Sequence, residues 1–137
     1  MMLLLIILIA TVQGTSSSVS KQRCLTYEPN VVVLHGTIRQ HTFAAPPNNE
    51  SVAKRDEREV VWVLHLSKST CVAASKDWSK ENNVAKIQLV FLEGQKQYDR
   101  YRRFLNQRVT VTGTLFQRHT GHHAMRVLIT VDKVTKK

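Results

Sequence analysis

From residue 31 the chain reads VVVLHGTIRQHTF, in which Val32, Leu34, Gly36 and Ile38 recur on alternate positions. That two-residue period, carried by β-branched side chains, predicts a strand packed on one side. Gly36 within it suits a strand that coils sharply or carries a bulge. EVVWVLHL (59–66) predicts a second strand, with Val60, Trp62, Leu64 and Leu66 on one face and Val61, Val63 and His65 on the other. Both of its faces are apolar, so the pattern does not say which points inward. KIQLVFL predicts a third strand through Ile87, Leu89 and Phe91. The segment QKQYDRYRRFL then changes period, placing Tyr98, Tyr101 and Leu105 at helical spacing among basic residues. RVTVTGTLFQ and MRVLITVDKV return to alternation, through Val109, Val111, Gly113 and Leu115 and through Met125, Val127, Ile129 and Val131.

Three strands, a short helix and two further strands, with a glycine bend in the first, predict a mainly β protein. The expected architecture is a five-stranded OB-like barrel whose helix between strands three and four plugs one end. An open sheet with one packed helix is the alternative. Between the strands, AAPPNNESVAKRDER and ASKDWSKENN are polar and turn-rich, as exposed connections are.

The last two strands allow a specific expectation. For both apolar faces to point inward, Val111 pairs with Val131, Gly113 with Ile129 and Leu115 with Val127 across a three-residue loop of Thr120, Gly121 and His122. His119 and His123 then face each other on the Leu115 side at the barrel rim, with His122 at the tip. Two facing imidazoles suit zinc or copper, so these two are weak metal candidates. The pattern supplies no clear third ligand, because His35, His41 and His65 lie on other strands. A structural hairpin without metal or any other cofactor is the expectation.

The first residues differ in kind. MMLLLIILIATVQG carries no charged side chain and is followed by the polar TSSSVSKQ. A membrane-spanning helix needs about twenty apolar residues, which this stretch lacks, whereas the apolar region of a secretion signal fits. The expected division is a cleaved signal over residues 1–14, a lead-in over 15–29 and one barrel domain over 30–137, with no integral membrane span in the mature chain. Export also bears on the two cysteines, Cys24 and Cys71. In an oxidising compartment an even pair predicts a disulfide, here closing a loop of roughly fifty residues and contributing about 3 to 4 kcal/mol in the chain-entropy model. Two separate buried thiols are the alternative. The approach KQR to Cys24 is charged, unlike the small apolar residues that precede a lipid-modified cysteine.

Twenty Lys and Arg against ten Asp and Glu give a formal net charge of +10. Such a balance favours anionic partners: nucleic acid, acidic envelope polymers, phospholipid or lipopolysaccharide surfaces, or an acidic protein. The alternative is that the surplus serves solubility alone.

Several stretches resemble a small secreted bacterial family known as domain of unknown function 4431. They are CLTYEPN with LHGTI, FAAPPNNESV, QLVF and VTVTGTLFQRHTGHH. The family pattern has a Tyr-Glu-Pro segment, here Tyr27, Glu28 and Pro29, and a Pro-Pro-Asn loop, here Pro46, Pro47 and Asn48. Its Thr-Gly-His-His hairpin corresponds to Thr120, Gly121, His122 and His123. Asn49 and Ala45 depart from the aromatic and the glycine expected beside the Pro-Pro-Asn. The resemblance implies export and a single domain, in a bacterial envelope or periplasmic setting, and brings no activity with it.

Catalytic signatures are missing. The chain has no Gly-x-Ser-x-Gly elbow, no glycine-rich phosphate loop and no His-Glu-x-x-His or paired Cys-x-x-Cys arrangement. Cys71 would be nucleophilic only if reduced, and Glu28 is expected to organise the approach to the first strand. No catalytic residue and no enzyme activity are therefore expected. Binding suits the composition better, since OB barrels take single strands or oligosaccharides on basic faces with exposed aromatics. The candidates are Arg39, His41, Phe43, Lys54, Arg55 and Arg58, with Trp78 and Lys80 nearby, while Arg100, Arg102 and Arg103 lie on the helix. Export argues against intracellular nucleic acid as the ligand. The expected partner is an anionic envelope component, and the competing expectation is a protein partner, as for a secreted inhibitor or immunity factor.

Overall fold

The structure is a computed structural model that describes Gly14, residues 21–44 and residues 58–137. The expected signal segment (Gly14 apart), the Pro-Pro-Asn loop, Lys54 and Arg55 lie outside the described residues.

Five strands, β1 (Val31–Ala44), β2 (Arg58–Val72), β3 (Glu81–Val90), β4 (Arg108–Gln117) and β5 (Val127–Lys136), close into a barrel in the order β1-β2-β3-β5-β4. Neighbours run antiparallel except β3 and β5, which pair in parallel. Between β3 and β4 stands one short helix, α1 (Gln95–Tyr101), followed by a 3-10 turn over Arg102–Phe104. This is the expected five-stranded OB-like arrangement with its single helix.

The barrel interior collects the residues whose alternation pointed inward: Val32, Leu34 and Ile38 of β1, Ile87 and Leu89 of β3, Val109, Val111 and Leu115 of β4, and Val127, Ile129 and Val131 of β5. For β2 the structure settles the open question, because Trp62 and Leu64 join this core. Closing so small a barrel requires backbones to approach closely, and two glycines permit it. A Cβ at Gly36 would overlap the carbonyl oxygen of His65, and one at Gly113 that of Thr130. Neither clash could be relieved by a rotamer change, since the obstacle is backbone.

The helix closes the barrel with aromatic side chains. Trp62, Phe91 and Tyr98 meet edge to face at centroid distances of 4.7 to 5.6 Å, the geometry that ring quadrupoles favour. Tyr101 and Phe104 are buried beside them. Phe104 rather than Leu105 takes the deeper position, because the chain tightens into the 3-10 turn after Tyr101 and changes the helical spacing. Gln97 is buried as well, its amide donating to Val131 O at 3.3 Å and its oxygen accepting from Glu93 N at 2.8 Å.

Several strand boundaries differ from the sequence expectation, and β3 ends at Val90, so that Phe91 lies just beyond it. β2 continues to Val72 and β3 begins at Glu81, both through polar sequence, and the ladder between them shifts register on either side of Thr70. β5 begins at Val127, two residues after Met125. The segment ahead of β1 is tied down at the far end of β2. Cys24 and Cys71 are disulfide-bonded with Cα atoms 4.7 Å apart, and Leu25 adds two backbone hydrogen bonds, from its N–H to Cys71 O at 2.8 Å and from Ala73 N to its oxygen at 2.9 Å. Glu28 N donates to Leu115 O at 2.8 Å, which ties the Tyr-Glu-Pro segment to β4 just ahead of β1.

The β4–β5 register is a correction. Leu115 pairs with Ile129 and Gln117 with Val127, and after an irregularity between Thr112 and Gly113, Val111 pairs with Val134. The expected three-residue loop is instead the longer segment 118–126, closed by Arg118 N donating to Arg126 O at 3.0 Å. From Gly113 to Gln117 the shift is two residues, which preserves which side chains share a face, and the irregularity before Gly113 absorbs the extra residue at Val111. Leu115, Val127, Val111 and Val131 are therefore all buried, as expected, while Arg126 is exposed and pairs with Glu81 at 3.7 Å.

Candidate ligand-binding face

One row of side chains crosses the outside of the barrel. Following the ladders, Phe116 of β4 stands beside Leu128 of β5, then Gln88 of β3, Val63 of β2 and Arg39 of β1. Phe116, Leu128, Gln88 and Val63 are buried although they point away from the core. The 118–126 loop folds back over this side of the sheet. Gln88 holds it with both ends of its amide: Oε1 accepts from Ala124 N at 2.7 Å and Met125 N at 3.2 Å, while Nε2 donates to His122 O at 3.4 Å. The loop shapes itself through His123 N to Thr120 O at 3.2 Å and His122 N to Thr120 Oγ1 at 3.3 Å.

This fold-back relocates the histidines. His119 and His123 do meet, with ring centroids 4.7 Å apart and nearly perpendicular. They meet above Phe116, at 5.7 and 5.6 Å, and so on the outer face rather than on the Leu115 side at the rim. The longer loop is the reason. His119 N donates to His123 Nδ1 at 3.2 Å, and His119 Nδ1 donates to Gln117 O at 3.1 Å. These bonds fix both tautomers. Burial, then the neighbouring His119, His122 and Arg118, holds the His123 imidazole below the usual histidine value. His122 is paired through Nδ1 with Glu59 of β2. Among the described residues no group of three or more His, Cys, Asp or Glu side chains is arranged to hold a metal ion.

On the same outer face, β1, β2 and β3 bring four basic side chains together. Thr37 pairs with His65, and His65 with Lys86, while Arg39 pairs with Val63 one step along. His41 and His65 lean toward each other across that step until their Nε2 atoms are 2.7 Å apart, with ring centroids at 5.0 Å. Arg39 is steadied at one edge by donating to Asn106 Oδ1 at 3.0 Å. Burial, and after it the charges of His41, Lys86 and Arg39, holds His65 below the ordinary histidine value. Among the described residues, no carboxylate forms an ion pair with Arg39, His41, His65 or Lys86. Glu59, the acidic residue on this face of β2, is taken by His122.

The remaining candidates divide. Phe43 stands opposite Glu59, and Arg58 opposite Ala44, at the open end of the β1–β2 ladder. Phe43, Arg118, Thr120 and His123 help to line a cleft of about 590 Å³. Trp78 and Lys80 follow the other end of β2. There the Trp78 ring packs on Tyr27 at 5.4 Å, and Gln117 Nε2 lies within hydrogen-bond distance of Tyr27 OH and of Ser79 O. Trp78 is therefore wall rather than platform. Burial, more than the opposing Gln117 bond or the Glu81 charge, holds the Tyr27 phenol above its usual value. Of the three arginines expected on the helix, Arg100 lies on α1 and pairs with Glu93 at 3.3 Å, whereas Arg102 and Arg103 lie on the 3-10 turn, Arg102 pairing with Asp99 at 3.5 Å and Arg103 lying over the Phe104 ring at 4.9 Å.

Three residues of this face escaped the sequence reading as site residues: His65, Lys86 and Gln88. The signal was present in the alternation of β2 and β3, which put His65 opposite in phase to Leu64 and Lys86 opposite in phase to Ile87.

The family described as Domain of unknown function (DUF4431) matches residues 86–135, a stretch that begins at Lys86 and contains Gln88, α1, β4 and the loop that Gln88 holds. No curated protein matches the chain. Among the described residues no helix is long and apolar enough to cross a membrane.

Proposed function

Taking the chain as a member of the domain of unknown function 4431 family, a membership that assigns no activity, we propose that it is an exported, non-catalytic module that binds an anionic component of the cell envelope. The observation that carries this reading is the cluster of Arg39, His41, His65 and Lys86 on the outer face of β1–β3, with no carboxylate in ion pairing with it among the described residues. Grouping like charges on one face costs free energy through repulsion, and a polyanion offsets that cost while releasing its counterions. The disulfide between Cys24 and Cys71 suits an oxidising compartment.

Retention of acidic envelope polymer on the immobilised protein tests the reading. Polymer held at low ionic strength and released at high salt, where charges are screened within a few ångström, is the expected result. A single stoichiometric protein that stays bound through high salt, with no polymer retained, would replace this reading with that of a protein-binding module.

A further inference from the structure

Two imidazoles whose Nε2 atoms face each other at 2.7 Å share one hydrogen: one ring donates and the other accepts. The pair can carry one extra proton in that arrangement. A second would set two N–H groups against each other. The surroundings oppose it further. Facing the pair are Arg39 from β1 and Lys86 from β3. Glu59 is committed to His122, and Asn106 presents its oxygen to Arg39. Among the described residues the cluster therefore lacks a counter-charge.

We propose that an oxyanion of the bound polymer seats among Arg39, His41, His65 and Lys86 together with a proton taken up by the histidine pair, so that the face holds its ligand more tightly in acid. This rests on the binding function proposed above. An oxyanion accepts from both rings at once, which replaces the single shared hydrogen by two charge-assisted bonds. It also cancels the repulsion from Arg39 and Lys86 that opposes protonation. By linkage, whatever the anion does for the proton, the proton does equally for the anion.

The experiment is calorimetric titration of the protein with dextran sulfate at constant ionic strength, at about pH 8 and about pH 5.5, on either side of the ordinary histidine range. Sulfate esters keep their charge throughout, so any change belongs to the protein. The expected result is an affinity about tenfold or more higher in acid, as linkage of one proton allows, with net proton uptake seen by comparing buffers of different ionisation enthalpy. The His41→Gln, His65→Gln double variant loses that rise, while His35→Gln, a histidine bonded to Thr110 elsewhere on β1, retains it. Equal affinity at both pH values overturns the proton linkage and leaves the binding function standing, as does a rise that persists in the double variant. Failure to bind at either pH overturns both. The titration of His65 by NMR in the unmodified protein gives a check independent of variant folding: dextran sulfate should raise the pH at which His65 protonates, and an unmoved titration contradicts the proposal.

Discussion

Gln88 of β3 accepts a 2.7 Å hydrogen bond from the backbone of Ala124, thirty-six residues further along the chain. Through this side chain the barrel wall fixes the path of the 118–126 loop. Gln88→Ala leaves the Ala124 and Met125 amides without their protein acceptor, and should cost about 1 to 3 kcal/mol. Hydrogen exchange at those two amides should accelerate in the variant while exchange within the β4 ladder stays slow. Unchanged exchange at Ala124 would mean that the loop is held by other contacts.

The disulfide fastens the lead-in to the far end of β2, beside the Leu25–Val72 bridge. Cys24→Ser with Cys71→Ser should lower unfolding free energy by about 3 to 4 kcal/mol in the chain-entropy account. Thiol titration of the unreduced protein should find no free thiol. Two free thiols would contradict the bond.

Leu115 is fully buried and Thr114, its neighbour on β4, faces outward. Leu115→Ala should therefore destabilise by about 2 to 5 kcal/mol as a cavity-forming change, and Thr114→Ala by less than about 1. Denaturant midpoints for the two variants decide it, and similar losses would contradict the assignment of faces.

That assignment was legible in the sequence because alternation along RVTVTGTL survives any even shift in register. The register itself was not. His123 and Met125 continue the apolar alternation backwards from Val127, which made the loop look short, whereas the loop turns outward to cover Phe116 and reach Gln88. Burial on the outside of a barrel leaves no periodic trace, so Phe116 and Gln88 read as ordinary outward positions. The meeting of His41 with His65 depends on the register of β1 against β2, and the long connection between those strands left that register undetermined. The barrel with its single helix needed only element order and alternation, which is why it could be read directly.

The histidines also predict how stability depends on pH. His65 and His123 both protonate less readily in the folded protein than in the unfolded chain, burial being the main cause in each. Stability from these groups is therefore fully present above the unfolded value of about 6.5 and is lost as pH falls through their lower folded values. Urea unfolding across that range should show stability declining in acid, and His65→Gln should flatten part of the decline. A stability that rises on acidification through this window would contradict the assigned environments.

The central claim is that the Arg39, His41, His65 and Lys86 cluster, rather than net charge alone, holds an anionic ligand. The most direct measurement compares dextran sulfate affinity in two variants that each remove two positive charges, Arg39→Ala with Lys86→Ala, and Arg102→Ala with Arg103→Ala on the 3-10 turn. The first pair should lose most of the affinity and the second should keep it. Equal losses in the two would show that binding follows total charge and would contradict the assignment of the site to this face.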